Sequence, residues 1–227
     1  MFFRHASDRR LLFIVPWLVL LLSSSPAAAQ EVPPQEPPSF DIRFDFQVVD
    51  RFLDELSGGP ESAAEEIGER ELATVLFTDI VSSTERVAEA GDAAWRAMLD
   101  RHEQAAVQAI EAARGRLVEH TGDGVLATFG GPSHAVSAAR SMQDAGVAMG
   151  VAVRAGVHTG EVERRGDRIG GIGVHIAARI LGLAGGGEIL ASRTVRDLAV
   201  GSKLVFEDRG THALKGVAEP WQVFAVS

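Results

Sequence analysis

The chain has 227 residues, 46% hydrophobic and 23% charged, which accommodates one ordinary folded domain plus a shorter extra segment. A formal net charge of −9 argues against a nucleic-acid binder, because phosphate contacts need a basic face. The absence of cysteine excludes disulfides, thiolate zinc sites and a cysteine nucleophile together.

Arg4, Arg9 and Arg10 precede the apolar run Leu11–Leu22, and small residues follow, ending in Ala27-Ala28-Ala29. Basic, apolar, then small is the order of a secretory signal peptide. Adding Phe2–Phe3 or Ser23–Ala29 stretches the apolar core toward the roughly 20 residues of a membrane span. Residues 1–29 are therefore read as either a cleaved signal or an uncleaved membrane anchor. Residues 30–40 are Pro-rich and acidic, an extended linker. The spacing within Asp41–Ser57 predicts a short amphipathic helix, stopped by Gly58-Gly59-Pro60. Glu61–Glu71 reads as linker or helical stub, so residues 30–70 connect the N-terminal segment to a domain spanning 71–227.

That domain opens with ATVLFTD (Ala73–Asp79), an apolar run of strand length. Ala93–Arg114 shows helical spacing at Trp95, Met98, Leu99, His102, Ala106, Ala109, Ile110 and Ala113, and ends at Gly115. Arg116–Phe129 reads as two strands around a Gly-Asp-Gly turn. Pro132 opens a second helix to about Ala145. Val151–Glu163 reads as a strand with a Gly-containing turn, and Gly173–Leu183 as a third helix. Short elements close the chain: EILAS, a helix near Thr194–Leu198, KLVFEDRG and WQVFAV. Strand, helix, hairpin, helix, strand is the ferredoxin-like order. The expected fold is α+β, an antiparallel sheet with helices on one face, preceded by the N-terminal hydrophobic segment.

Two acids stand out. Asp79 sits where the first strand runs out, before Ile80-Val81-Ser82-Ser83-Thr84, and Asp123 sits at the hairpin tip. If their strands are neighbours, hard oxygen ligands meet beside small residues with free backbone N–H groups. That combination suits a divalent cation bound with a nucleoside triphosphate. Each acid also has a plainer reading, Asp79 as a helix cap and Asp123 as a turn residue before glycine.

LFTDIVSST, HTGDGVLATF, AGVHTGEVE, GGIGVHIAARI and HALKGV occur here in the order found in class III adenylyl and guanylyl cyclases, and the chain after Leu72 resembles that family. The resemblance implies that Asp79 and Asp123, helped by the Ile80 carbonyl, hold two Mg²⁺ or Mn²⁺ ions per active site. It implies that Ile80–Thr84, with Ser82, Ser83 and Thr84, wraps the phosphates of ATP or GTP. From the partner chain of a head-to-tail homodimer, Arg179 would stabilise charge on the α-phosphate and Lys215 would neutralise the outer phosphates. His175 stands where many relatives use Asn to hold the ribose. Plainer readings are a core histidine for His175 and a helix-terminal cation for Arg179. His120, His134, His158 and His212 lack metal-ligand spacing and are read as structural.

Three positions depart from the family pattern. Glu119 stands where adenylyl cyclases carry Lys, and Arg168 where they usually carry Asp or Thr. Reversed charges reverse the hydrogen-bond logic: Glu119 accepts from guanine N1–H and N2–H₂ while Arg168 donates to O6, which favours GTP. A competing reading pairs Glu119 with Arg168 across the dimer interface and blocks the purine pocket. Ser82 replaces a family glycine at a loop where positive φ and close phosphate approach are expected. The functional expectation is a cyclase making a 3′,5′-cyclic nucleotide for signalling, membrane-anchored with its catalytic domain cytosolic. The alternatives are a cyclase-shaped binding module without turnover, and export after signal cleavage.

Overall fold

The computed structural model describes residues 69–83 and 91–227. The N-terminal hydrophobic segment, the Pro-rich linker, the amphipathic helix expected after Asp41, and Thr84 lie outside the described residues. In chain order the elements are β1 (Glu69–Ile80), α1 (Asp92–Ala112), β2 (Arg116–His120), β3 (Val125–Phe129), α2 (Pro132–Ala148) and β4 (Val153–Arg165). There follow β5 (Arg168–Gly170), α3 (Ile172–Leu181), β6 (Ile189–Ser192), α4 (Arg193–Leu198), β7 (Phe206–His212) and β8 (Trp221–Val226).

The first six elements form the expected βαββαβ core, with β2-β3-β1-β4 as antiparallel neighbours. The sheet then continues through β6, β8 and β7, and the β4–β6 pair is parallel. It is therefore a mixed sheet rather than the purely antiparallel one expected. The cause is α3, a crossover helix that returns the chain to the end where β4 began.

The helices do not all lie on one face. Leu76 and Ile80 of β1 pack with Ala106 and Ile110 of α1 and with Val136 and Met142 of α2. Val75 and Phe77 point the other way and pack with Val174, Ala177 and Leu181 of α3. All of Ala73–Ile80 is buried, and a strand buried on both faces reads as a continuous apolar run instead of alternating. The helix α3 can lie so close to the sheet because of Gly156. A Cβ there would stand 2.3 Å from the Leu181 nitrogen and 2.6 Å from the Ala177 oxygen. The glycines of AGVHTGEVE thus mark close packing, and the turn expected there is absent: β4 runs unbroken over 13 residues. β1 also starts earlier than the domain start at 71, with Glu69 opposite Arg164 and Glu71 paired to the Arg164 guanidinium.

Candidate active site

Two local contacts drive the β2–β3 turn into the C-terminal end of β1. The Val125 N–H donates to Thr78 Oγ1 at 3.2 Å, one residue after Leu126 and Phe77 pair in the ladder. Gly124 lies so close to β1 that a Cβ would stand 1.8 Å from the Thr78 carbonyl oxygen. Only glycine fits there. Asp79 follows Thr78 and Asp123 precedes Gly124, so this contact brings the two carboxyl groups within hydrogen-bonding reach of each other. They meet at one end of the sheet, on its interior strands.

Asp79 is 7% exposed. Burial pushes its carboxyl up from 3.8 to about 7, and the hydrogen bond and charge of Asp123 push the same way. Arg154 opposes both. It stands directly across the ladder from Asp79 and donates from Nε at 2.9 Å and Nη2 at 2.5 Å to Oδ2. Beyond Asp79, Ile80 ends the strand opposite Val153, and the Val81 N–H donates to the Ala152 carbonyl at 2.9 Å. Ser82 then takes φ 61°, the left-handed conformation expected of the glycine it replaces. Ser83 follows it, half-buried.

The remaining candidates gather around α3. His175 and Arg179 are one turn apart on the same side of the helix. Arg179 is 6% exposed, and its Nε donates to the Lys215 carbonyl at 3.2 Å. Leu214 fixes that connection by packing with Ile176, Ile180 and Val223, leaving the Lys215 side chain exposed. Glu119 is half-buried on β2, and Arg168 is exposed at the start of β5. The distal half of β4 and β5 fold over the α3 face, where Val162 and Ile169 pack with Leu126 and Val118. An ion pair between Arg116 and Asp167, 2.5 Å long, ties β2 to the β4–β5 turn within one chain. The segments bearing Glu119 and Arg168 are thus neighbours in a single copy.

Known proteins resemble this chain in sequence and fold. The putative adenylate cyclase 3 of Rhizobium meliloti is 28% identical over 173 residues, covering 72% of this chain and 30% of that protein. The crystal structure of an adenylate/guanylate cyclase/hydrolase from Silicibacter pomeroyi superposes with a TM-score of 0.59 at 28% identity, covering 70% of this chain and 97% of that one. The adenylyl cyclase CyaB from P. aeruginosa shares the fold with a TM-score of 0.63 at 24% identity, covering 70% of this chain and 95% of that one. No protein-family model matches the chain. The domain is homologous to class III nucleotidyl cyclases. The chain spans about a third of the length of the curated relatives it matches.

Such cyclase domains use divalent metals, and the donor set here fits them. Two carboxylates forced together at a buried strand end repel each other, and a hard cation relieves that repulsion better than a proton does. Among the described residues no three His, Cys, Asp or Glu side chains gather as a self-sufficient metal cage. The Ile80 carbonyl, next to Asp79 in the chain, is a further oxygen that could join the acid pair in holding a cation. Sequence reasoning missed Arg154, and the signal was present: a single charge inside the apolar run VAVRAGV. Its register opposite Asp79 was invisible without the strand pairing.

Proposed function

We propose that this cyclase domain converts a purine nucleoside triphosphate to its 3′,5′-cyclic nucleotide and pyrophosphate. The convergence of Asp79 and Asp123 at the end of β1 carries this reading. In the reaction the 3′-oxygen bonds to the α-phosphorus, the bond to the bridging pyrophosphate oxygen breaks, and the hydroxyl proton passes to solvent. When bound, two Mg²⁺ or Mn²⁺ ions supply activation of the 3′-hydroxyl and charge neutralisation of the leaving pyrophosphate. Asp79, Asp123 and the Ile80 carbonyl would hold them. The backbone of Ile80–Thr84 cradles the phosphates. From the partner copy, His175 holds the ribose, Arg179 neutralises charge at the α-phosphate and Lys215 meets the outer phosphates.

Glu119 and Arg168 read the purine, and their charges favour GTP. Their neighbouring positions within one chain support a shared purine site. A second reading, a nucleotide-binding module without turnover, draws on Ser82. Its side chain occupies a left-handed position where the phosphates would approach. The N-terminal segment holds the chain at a membrane with the domain cytosolic, where the triphosphates are; a C-terminal reporter fusion tests that orientation.

The deciding experiment incubates the purified full chain with Mn²⁺ or Mg²⁺ and either ATP or GTP. Cyclic AMP and cyclic GMP are quantified, with Asp79→Ala as the blank. Cyclic GMP in excess, absent from the blank, is expected. An excess of cyclic AMP would keep the enzyme and discard the Glu119/Arg168 argument. A folded dimer that makes neither product would favour the binding module.

A further inference from the structure

Among the described residues two histidines are deeply buried, and they are treated differently. His158 is 3% exposed; its Nδ1 shares a 2.8 Å hydrogen bond with Ser192 Oγ, and its ring packs edge-on against Trp221. That is a satisfied core histidine. His102 on α1 is equally buried, at 3% exposure, but neither Nδ1 nor Nε2 has a hydrogen-bond partner. Its neighbours one turn away on the same helix face are Met98 and Ala106. A leucine would continue that apolar stripe at no polar cost, whereas two buried orphan nitrogens are expensive.

The place of His102 explains why histidine is there. The next residue, Glu103, carries a carboxylate 3.2 Å from His120 Nε2, at the end of β2. This helical turn therefore lies against the approach to the Gly122-Asp123-Gly124 turn. The negative charge of Asp123 acts on the His102 ring and partly offsets the effect of burial, which pushes the ring toward its neutral form. A neutral imidazole always carries one N–H donor. The carboxylate whose charge acts on it, Asp123, belongs to the acid pair.

We propose that His102 is a positioning residue for Asp123: its ring N–H bonds Asp123, directly or through one buried water, when a divalent cation occupies the acid pair. One Asp123 oxygen would serve as the ligand, and His102 would hold the other in the orientation that ligation needs. A second layer of donors commonly orients metal-binding groups in this way. This bond would give one of the two orphan nitrogens of His102 a partner. The inference rests on the proposed metal role of Asp79 and Asp123.

The test uses the full chain and reads two quantities without any turnover. Thermal unfolding in chelator gives stability, and electron paramagnetic resonance with Mn²⁺ alone gives metal affinity. Wild type is compared with His102→Leu, His102→Asn, His102→Gln and Asp123→Asn. The leucine variant is expected to melt at or above the wild-type temperature yet bind Mn²⁺ roughly tenfold or more weakly. Asparagine or glutamine, which keep an N–H donor, should recover most of that affinity. A merely structural histidine would lose stability and affinity together, or affinity not at all. Wild-type Mn²⁺ affinity in the leucine variant would overturn the proposal, as would amide variants no better than leucine. Wild-type Mn²⁺ binding that is indifferent to Asp123→Asn would instead overturn the metal reading, and this inference with it.

Discussion

Without divalent cation, Asp79→Asn should become progressively more stabilising, relative to wild type, as pH rises. The folded-state carboxyl titrates near 7 and the unfolded one near 3.8. Its stabilising effect is therefore complete below about pH 4 and is lost as pH climbs through 7. The full difference is at most about 4 kcal/mol, from about 1.4 kcal/mol for each tenfold change in proton affinity. Between pH 5 and pH 8 the change is roughly 2–3 kcal/mol. In a domain of this size that is about 5–10 °C in melting temperature. The variant also loses the bond from Arg154, and the pH-dependent part of that loss is already contained in the folded-state value near 7, which Arg154 acts to lower. His158 acts in the opposite direction. Burial lowers its pKa to about 4, so it removes stability as pH falls below 6.5. It does so in both proteins and cancels in the comparison. The measurement is thermal or urea unfolding of wild type and variant in chelator at pH 5 and pH 8. A stability gap that stays constant across that range would refute the argument that burial and Asp123 destabilise the Asp79 charge.

Two further perturbations follow from the backbone around the acids. Gly124→Ala drives a Cβ into the Thr78 carbonyl, a contact between main-chain segments that no rotamer change relieves. It should cost more than about 2 kcal/mol in unfolding experiments and abolish Mn²⁺ binding, since the same contact brings Asp79 and Asp123 together. Ser82→Gly removes a side chain from a φ of 61°, and should raise stability by about 1 kcal/mol in urea titration without weakening nucleotide binding.

The parts of the fold legible in the sequence were those carried by local signals. The Gly-Asp-Gly hairpin, the apolar spacing of α1 and the proline opening α2 each specify their own element. The layering was harder, because Ala73–Ile80 is buried at every position and its apolar residues fall on both faces. Such a run reports burial without saying which helix covers which side, and only the packing of α3 against Val75 and Phe77 resolves it. Gly156 and Gly160 misled for a related reason: a glycine that admits a neighbouring helix backbone, as Gly156 does, or the His158 ring, as Gly160 does, looks in sequence like one that turns the chain. At the site, Asp79 and Asp123 were legible from their places at a strand end and a hairpin tip. Arg154 was hidden because its role depends on register across β1 and β4. His102 was hidden because it sits in an apolar stripe at core spacing, where a sequence gives no sign that its nitrogens lack partners.

The distribution of the candidate residues over the sheet bears on how many chains make one site. β4 is antiparallel to β1, β6 is parallel to β4, and β8 is antiparallel to β6, so β8 runs in the same direction as β1. Asp79 stands where β1 ends, whereas the connection carrying Lys215 enters β8 at the end of the sheet where β1 begins. Arg179 is tied to that connection through the Lys215 carbonyl. A triphosphate that uses both groups is more naturally held between two copies related by a two-fold axis, each lending its acids to one site and its cations to the other. That arrangement makes a quantitative prediction. Asp79→Ala and Arg179→Ala chains are each expected to be inactive alone. Mixed in equal amounts and allowed to exchange, about half the dimers contain one of each. In those dimers one site carries both lesions and the other carries neither, so activity should return to roughly a quarter of the wild-type value. Cyclic nucleotide production on mixing is the assay. A mixture as inactive as its components, although subunit exchange is verified with labelled chains, would place both groups in the same site of a single copy.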